Sequence, residues 1–340
     1  MAGPKYYPIL KWKTGEQKAV QLLAAADREP MLPILELQKV AGGLSPAHVV
    51  AALVKANVGA WPIGLDLRLV HEPVNFTALT KYCSAAAKAG HVAYPVVRAP
   101  DLFAQLATVS ALNGASGVVL LLRLHMITLA GTLSAIADVR KAIGKNVPLH
   151  VVYDVGPIGE VDTVGLAGFA EPFVRDTLAQ GATTHVAIAG GSFPLSLAGF
   201  QVGNNELPRR EWQMWQTLRA RPGCADVRFG DYNVTNPEPL AEDLDPRAMN
   251  PAAAIRYALD GKWWLLRGRG AKTSGFDQYN TLCRVLVANT RYAGPTFSYG
   301  DSRYYHHAQT GAPTGNFMTW RRDAASHHLV QTVRQLGTLI

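Results

Sequence analysis

Four carboxylates, Glu36, Asp66, Asp154 and Asp231, stand near the downstream ends of short apolar runs: MLPILEL (31–37), WPIGLDLRL (61–69), LHVVYDV (149–155) and DVRFGDY (226–232). Cations take the same position elsewhere, with Lys11 and Lys13 closing YYPILKWK, Arg98 closing VAYPVVR and Arg123 near the end of GVVLLLRL. Successive side chains along a strand point to opposite faces. Glu36 therefore shares a face with Ile34, Asp66 with Arg68, Arg98 with Val96, Arg123 with Leu121, Asp154 with Val152 and Asp231 with Phe229. Carboxylates gathered at one end of a sheet can act as general acid, general base or metal ligands. Guanidinium groups beside them suit bidentate contact with phosphate or carboxylate. The set fits a phosphorylated or otherwise anionic ligand, with Glu36, Asp66, Asp154 and Asp231 as candidate catalytic groups and Lys11, Lys13, Arg98 and Arg123 as candidate ligand-binding groups. The same charges could instead neutralise one another, Glu36, Asp66 and Asp154 against Lys11, Arg98 and Arg123, because buried charges must be paired.

Other stretches carry chemistry less directly. AGGSFP (189–194) offers backbone N–H groups at Gly191 and Ser192 that could cradle a phosphate, or a tight turn that needs two glycines. RGRG (267–270) follows KWWLL; it reads as a turn with Arg267 as a ligand-binding candidate. Asp301 lies in FSYGDSRYYHH and is placed at the same mouth as Asp231. The pairs His306-His307 and His327-His328 lack the i, i+4 spacing of a helical metal site, so a metal remains unassigned. Trp212 and Trp215, three apart on one helical face, form either a contact surface or core. No GxSxG elbow, GxGxxG or GxxxxGK[ST] loop is present, and no cofactor is indicated.

The elements that must position these groups alternate along the chain. Eight β-type runs at 6–12, 31–37, 61–69, 92–98, 117–124, 149–155, 184–190 and 226–232 are separated by helix-type runs with recognisable ends, such as Ser45-Pro46 at a start and Gly90, Gly114, Gly144 and Gly181 after apolar-periodic stretches. This order predicts an α/β fold, a (β/α)8 TIM-barrel-like domain over 1–235, with an open doubly wound sheet as the competing topology. Residues 236–340 begin with a Pro-rich acidic stretch and are expected to supply an eighth helix and then a C-terminal α/β extension covering one end of the barrel as part of one continuous unit.

Bulk properties narrow the class. The 340 residues are 48% hydrophobic and 17% charged, enough for a large core and inconsistent with disorder. A net charge of +8 is compatible with anionic partners without specifying one. Three scattered cysteines, Cys83, Cys224 and Cys283, signal neither a disulfide framework nor a zinc site. The N-terminus has no signal-peptide pattern and no stretch is long enough to span a bilayer, so a cytoplasmic, non-membrane protein is expected.

Taken in order, YYPILKWKTGEQKAV, PILEL, YDVGPI, HVAIAGGSFP, FGDYNV, AAIRYALDGKWWLLRG, FSYGDSRY and TWRRDAASHHLV resemble the beta protein family, named for a bacteriophage protein and found also in bacteria. The resemblance singles out Lys11, Lys13, Gly15, Glu16, Glu36, Asp154, Gly191 to Pro194, Gly230-Asp231-Tyr232, Arg267-Gly268, Gly300-Asp301 and His327-His328. It implies a role in phage–host conflict rather than a specific activity. Two functions follow as expectations. One is a phage-related or defence-associated protein that binds an anionic ligand, a nucleotide, nucleic acid or phage component, or an operon-encoded effector protein, at the barrel mouth. The other is a phosphodiesterase- or nuclease-like hydrolase using metal or acid/base chemistry.

Overall fold

A computed structural model of the chain describes residues 3–70, 74–238 and 250–339. Its strands, in chain order, are β1 (Tyr6–Lys11), β2 (Ile34–Glu36), β3 (Ile63–Asp66), β4 (Ala93–Arg98), β5 (Val118–Arg123), β6 (Leu149–Pro157), β7 (His185–Gly191), β8 (Gly203–Pro208), β9 (Arg228–Asp231), β10 (Ala252–Leu259) and β11 (Lys262–Gly270). The α-helices are α1 (Thr14–Gln21), α2 (Ala25–Arg28), α3 (Pro46–Lys55), α4 (Phe76–Lys88), α5 (Ala99–Ala104), α6 (Leu129–Ile143), α7 (Thr163–Gln180), α8 (Arg210–Arg219), α9 (Ala271–Ser274), α10 (Gln278–Val287), α11 (Tyr299–Ala308) and α12 (Phe317–Leu339).

Strands β1 to β7 and β9 close into a barrel in that order, and β9 returns to pair in parallel with both β7 and β1. The open sheet is thereby excluded. All eight sequence-predicted strands are barrel strands. Two apolar layers hold the barrel: Tyr7, Ile9, Ile34, Tyr94, Val96, Val119, Leu121, Val152, Ala187, Ala189 and Tyr232 fill its inside. Leu10, Leu35, Leu65, Val97, Leu120, Tyr153 and Phe229, on the alternate positions, pack outward against the helices. Trp212 and Trp215 of α8 are buried on Phe229, at ring distances of 4.9 and 5.6 Å, so they are core rather than a contact surface.

The remaining strands form a second sheet in the order β10-β11-β8, antiparallel throughout. Strand β8 is GNNELP, made of residues depleted in strands, and it survives as an edge whose hydrogen bonds all run to β11. The RGRG stretch is the end of β11 and not a turn: Arg267 pairs with Ala254 on one side and Gly203 on the other. Asp260-Gly261 makes the two-residue turn of the β10–β11 hairpin, with Gly261 at φ 64°. Helix α12, last in the chain, lies against α1, and its Leu329, Val330 and Leu336 join the outer barrel core, where an eighth barrel helix belongs. No helix among the described residues is long and apolar enough to cross a membrane. The three cysteines are free and buried. The acidic part of the predicted loop, 239–249, lies outside the described residues.

Candidate functional site at the barrel mouth

Strand parity and register bring six charged side chains to the upper inside of the barrel. Lys11, Glu36 and Asp66 sit side by side on β1, β2 and β3. Arg98 follows on β4, and Arg123 on β5 is paired in register with Asp154 on β6. The inner layer below them is apolar, so the charges occupy the last layer before the loops.

They form two linked networks. Arg98 places Nε 2.8 Å and Nη2 2.5 Å from Asp66 Oδ2, and Nη2 is also 2.8 Å from Glu36 Oε1. Arg68, just beyond β3, adds Nη2 at 3.1 Å from the same Glu36 oxygen and donates its backbone N–H to Asp66 Oδ1 at 2.9 Å. Across the mouth, Asp154 Oδ2 accepts from Arg123 Nε at 2.9 Å and from the Tyr232 hydroxyl at 2.8 Å, and Oδ1 accepts from the Gly156 N–H at 2.8 Å. Burial pushes the Glu36 carboxyl above its usual range, with Asp66 adding to the effect and Arg98 and Arg68 opposing it. Glu36 Oε2 is buried without a hydrogen-bond partner among the described residues. Burial pulls the Lys11 ammonium below its usual range; Glu36 counteracts that, while Lys13, Arg321 and Arg68 deepen it.

Glu238, in the segment after β9, spans this layer. Its Oε1 lies 3.2 Å from Arg123 Nη1, and its backbone carbonyl accepts from Lys11 Nζ at 2.8 Å. Pro237 beside it is buried against Gly191: a Cβ there would fall 2.7 Å from Pro237 Cδ, which accounts for a glycine at the end of β7. Asn236 fixes the segment by donating to the Phe193 carbonyl at 2.9 Å.

Three expected site residues lie elsewhere. Asp231 ends β9 but faces outward with Phe229, because Gly230 and Tyr232 take the inner positions. Its Oδ1 accepts from the Tyr6 hydroxyl at 2.7 Å, its Oδ2 from His328 Nε2 at 2.7 Å, and Arg209 stands 3.7 Å away. Burial lowers the His328 imidazole, and with Nδ1 bare this ring donates from Nε2 as a neutral group. Burial alone would raise the Asp231 carboxyl, but His328, Arg209 and Tyr6 outweigh it and hold it below its usual range. Asp301 is buried in the first turn of α11, not at the mouth, and accepts from Tyr257 at 2.7 Å, Ser298 at 2.6 Å and His327 Nδ1 at 2.9 Å. Arg267 donates to the Leu197 carbonyl at 3.0 Å from the second sheet. The phosphate cradle at Gly191-Ser192 is also taken: the Ser192 N–H donates to Glu211 Oε2 at 3.1 Å. Lys13 sits at the exposed rim as the residue before α1.

Of the two histidine pairs, His327 bonds Asp301 and the Ala258 carbonyl, and His307 bonds the Pro313 carbonyl at 2.8 Å. Among the described residues no group of three or more His, Cys, Asp or Glu is arranged to hold a metal. Two shallow surface hollows, of about 360 and 320 Å³, lie away from the mouth, against α8 and beside α10.

Arg68, Glu238 and the Glu211–Arg209 pair escaped the sequence-based set, and Tyr232 entered it only through the family resemblance. Tyr232 was one position from a candidate and in the correct parity for the inside. Glu238 lies in a Pro-rich segment with no periodicity to assign it a direction.

The arrangement is a closed (β/α)8 barrel whose C-terminal mouth is lined by paired charges. The sequence matches the Beta protein family over residues 6–334, and the chain belongs to that family. Curated proteins give no match. Among solved structures, the "putative lyase/mutase" of Burkholderia cenocepacia J2315 is 12% identical, with a TM-score of 0.36, and the alignment covers 69% of this chain and 78% of that one. The biosynthetic arginine decarboxylase SpeA of Campylobacter jejuni is 12% identical, with a TM-score of 0.44 over 97% of this chain and 55% of that one. Neither likeness bears on activity.

Proposed function

We propose that the chain binds an anionic ligand at the C-terminal mouth of the barrel and that Glu238 stands in for it when the ligand is absent. The observation that carries this reading is that Arg123 and Lys11, on strands five and one of eight and so on opposite sides of the mouth, both spend hydrogen bonds on one loop residue. The Glu238 side chain is 45% exposed, so its ion pair is partly screened and can be exchanged for a ligand at modest cost. Arg123 presents a planar donor fork suited to phosphate or carboxylate. In the phage–host setting that the family resemblance implies, nucleotides and nucleic acids are the natural anions to try.

A hydrolase is the second reading, and Glu36 favours it. Its raised carboxyl with a bare, buried oxygen at the mouth is the kind of group that carries a proton in general acid/base catalysis. Glu36 Oε1 is bonded to Arg98 and Arg68, but both oxygens of Asp66 and of Asp154 are occupied, which makes those two positioning residues in this scheme.

The test is thermal stabilisation of the wild type, Glu238→Gln and Arg123→Gln by phosphate, nucleotides and sugar phosphates. A ligand at one hundred times its Kd stabilises by about 2.7 kcal/mol. Glu238→Gln should respond at lower ligand concentration than the wild type and Arg123→Gln should not respond. No response from the wild type and Glu238→Gln alike would refute the proposal, and release of product from a nucleotide would favour the second reading.

A further inference from the structure

Glu238 meets the two sides of the mouth with different groups: its carboxylate takes Arg123 and its backbone carbonyl takes Lys11. A ligand that replaces both contacts offers acceptors on more than one group. Lys11 is also not the last cation on its side. The Lys13 N–H donates to the Lys11 carbonyl at 2.6 Å, a tight turn that sets both lysines at the start of α1. Helix α12 comes close at the same point: a Cβ on Gly15 would fall 3.2 Å from Arg321 Cβ and Cγ, and Arg321 Nη1 lies 3.3 Å from Glu16 Oε1. Arg256 of β10 donates Nη1 to the Val234 carbonyl at 2.5 Å, and its guanidinium lies 4.5 Å over the Phe193 ring. Val234 belongs to the segment after β9 that also carries Glu238.

These four cations repel one another. Loss of water pulls the Lys11 and Lys13 ammoniums below their usual range, Arg321 lowers each further, and Lys13 adds to the effect on Lys11. Burial, and then Arg321, brings the Arg256 guanidinium down to about 10. The acids that face the group are Glu16 and Glu36. Glu36 is shared with Arg98 and Arg68. Glu16 is buried, and burial outweighs Arg321 to hold its carboxyl above the usual range. Lys13 and Arg256 have no ion pair among the described residues. Positive charge held partly out of water without a full complement of acids is stabilised by a counter-ion. Lys13 is exposed and Arg321 is 32% exposed, so an incoming anion can reach both.

We infer that the mouth ligand carries a chain of two or three phosphates, which runs from Arg123 and Lys11 onto Lys13 and Arg321, with Arg256 behind its far end. The inference rests on the function proposed above and adds the class of ligand. A monophosphate or a single carboxylate satisfies Arg123 and Lys11 at most, and leaves Lys13, Arg321 and Arg256 in mutual repulsion. The cations are contiguous, with Lys11 common to both ends, so phosphates joined in a row match them better than two phosphates held apart on a sugar. The Arg321 guanidinium supplies a donor fork for the terminal phosphate.

Isothermal titration calorimetry with inorganic phosphate, pyrophosphate and tripolyphosphate, in metal-free buffer at about 0.1 M salt, tests this. The wild type should bind tripolyphosphate about tenfold more tightly than phosphate, from two further contacts that are partly screened. Lys13→Gln and Arg321→Gln should each lower that ratio about threefold. Arg123→Gln should weaken both ligands. Lys13 is exposed, so its variant folds even if Arg321→Gln, which strips Glu16 of its partner, does not. ATP bound more tightly than tripolyphosphate assigns the chain to a nucleotide, and equal affinity assigns it to the phosphates alone; both results keep the inference. Equal binding of phosphate and tripolyphosphate by the wild type, or a ratio unchanged in both variants, would overturn it. The mouth reading survives that result if Arg123→Gln still abolishes phosphate binding. Tripolyphosphate binding that needs Lys13 but not Arg123 refutes the span and the mouth reading, and so does the absence of any anion binding in the wild type and Glu238→Gln alike.

Discussion

Replacing Arg98 with methionine tests whether the mouth network is structural as well as ligand-directed. Among the described residues, Arg98 is the one side chain hydrogen-bonded to both Glu36 and Asp66, which sit in register on neighbouring strands. Methionine keeps much of the stem volume and removes the charge, leaving two buried carboxylates side by side. Breaking a buried ion pair by deleting one partner costs about 3–5 kcal/mol. Arg68 still reaches Glu36 at 3.1 Å and still donates its N–H to Asp66, which places the expected loss at the low end, about 3 kcal/mol at pH 7. The pH dependence has a definite sign. Glu36 already has a raised carboxyl in the folded protein, so the folded state binds its proton more readily than the unfolded chain does. Its contribution is most favourable below the ordinary glutamate range and is lost as pH rises through the folded value. Removal of Arg98 raises that value further, so the penalty should shrink on acidification, by about 1 kcal/mol between pH 7 and pH 5, since one pKa unit corresponds to about 1.4 kcal/mol. Urea denaturation followed by circular dichroism at both pH values measures it. A loss below about 0.5 kcal/mol, or one that grows at pH 5, would refute the reasoning.

Three further outcomes follow from the same geometry. Asp231→Asn should cost about 2–3 kcal/mol in urea denaturation, by weakening the Tyr6, His328 and Arg209 contacts, while leaving the affinity of any mouth ligand unchanged in a calorimetric titration. Burial, with His185 nearby, pulls the His150 imidazole down to about 3, so the unfolded chain takes up that proton first and stability falls as pH drops below about 6.5. The total from His150 approaches roughly 5 kcal/mol near pH 3, His328 acts in the same direction, and His150→Gln should flatten the acid limb of a stability profile. Gly191→Ala should push its new methyl into Pro237, cost about 1–3 kcal/mol by overpacking, and speed hydrogen exchange at residues 236 and 238 as Glu238 loosens from Arg123.

The eight barrel strands were legible because each is a short apolar run between helix-type stretches, buried on both faces. The small sheet was harder. Its strand β8 is polar and carries Gly, Asn and Pro, and it exists only because β11 supplies a partner from about 60 residues further along. The mouth charges were legible as a set, and so was their tendency to neutralise one another, which Arg98 and Arg123 do. No local signal places Glu238, whose direction is set by Pro237 packing on Gly191 at the end of the neighbouring strand β7.

The misplacement of Asp231 has a physical cause that a sequence can expose. Alternation states which residues share a face but not which face points inward, and an apolar neighbour is no guide when both faces of the strand are buried. Small residues are the better guide, because the inside of an eight-stranded barrel is crowded. A Cβ on Gly64 would fall 2.8 Å from Val96 Cγ2, and one on Gly230 would fall 2.8 Å from the Ala189 Cβ, so both positions must face in. Ala187 and Ala189 mark the inner face of β7 in the same way. Applied to FGDY, this rule turns Gly230 and Tyr232 inward and Phe229 and Asp231 outward. The carboxylate is then available to α12 through His328, and the tyrosine to Asp154 at the mouth. Two consecutive residues thus tie the last barrel strand to the closing helix on one side and to the candidate site on the other, so a change in the mouth network at Tyr232 bears directly on the strand that holds α12.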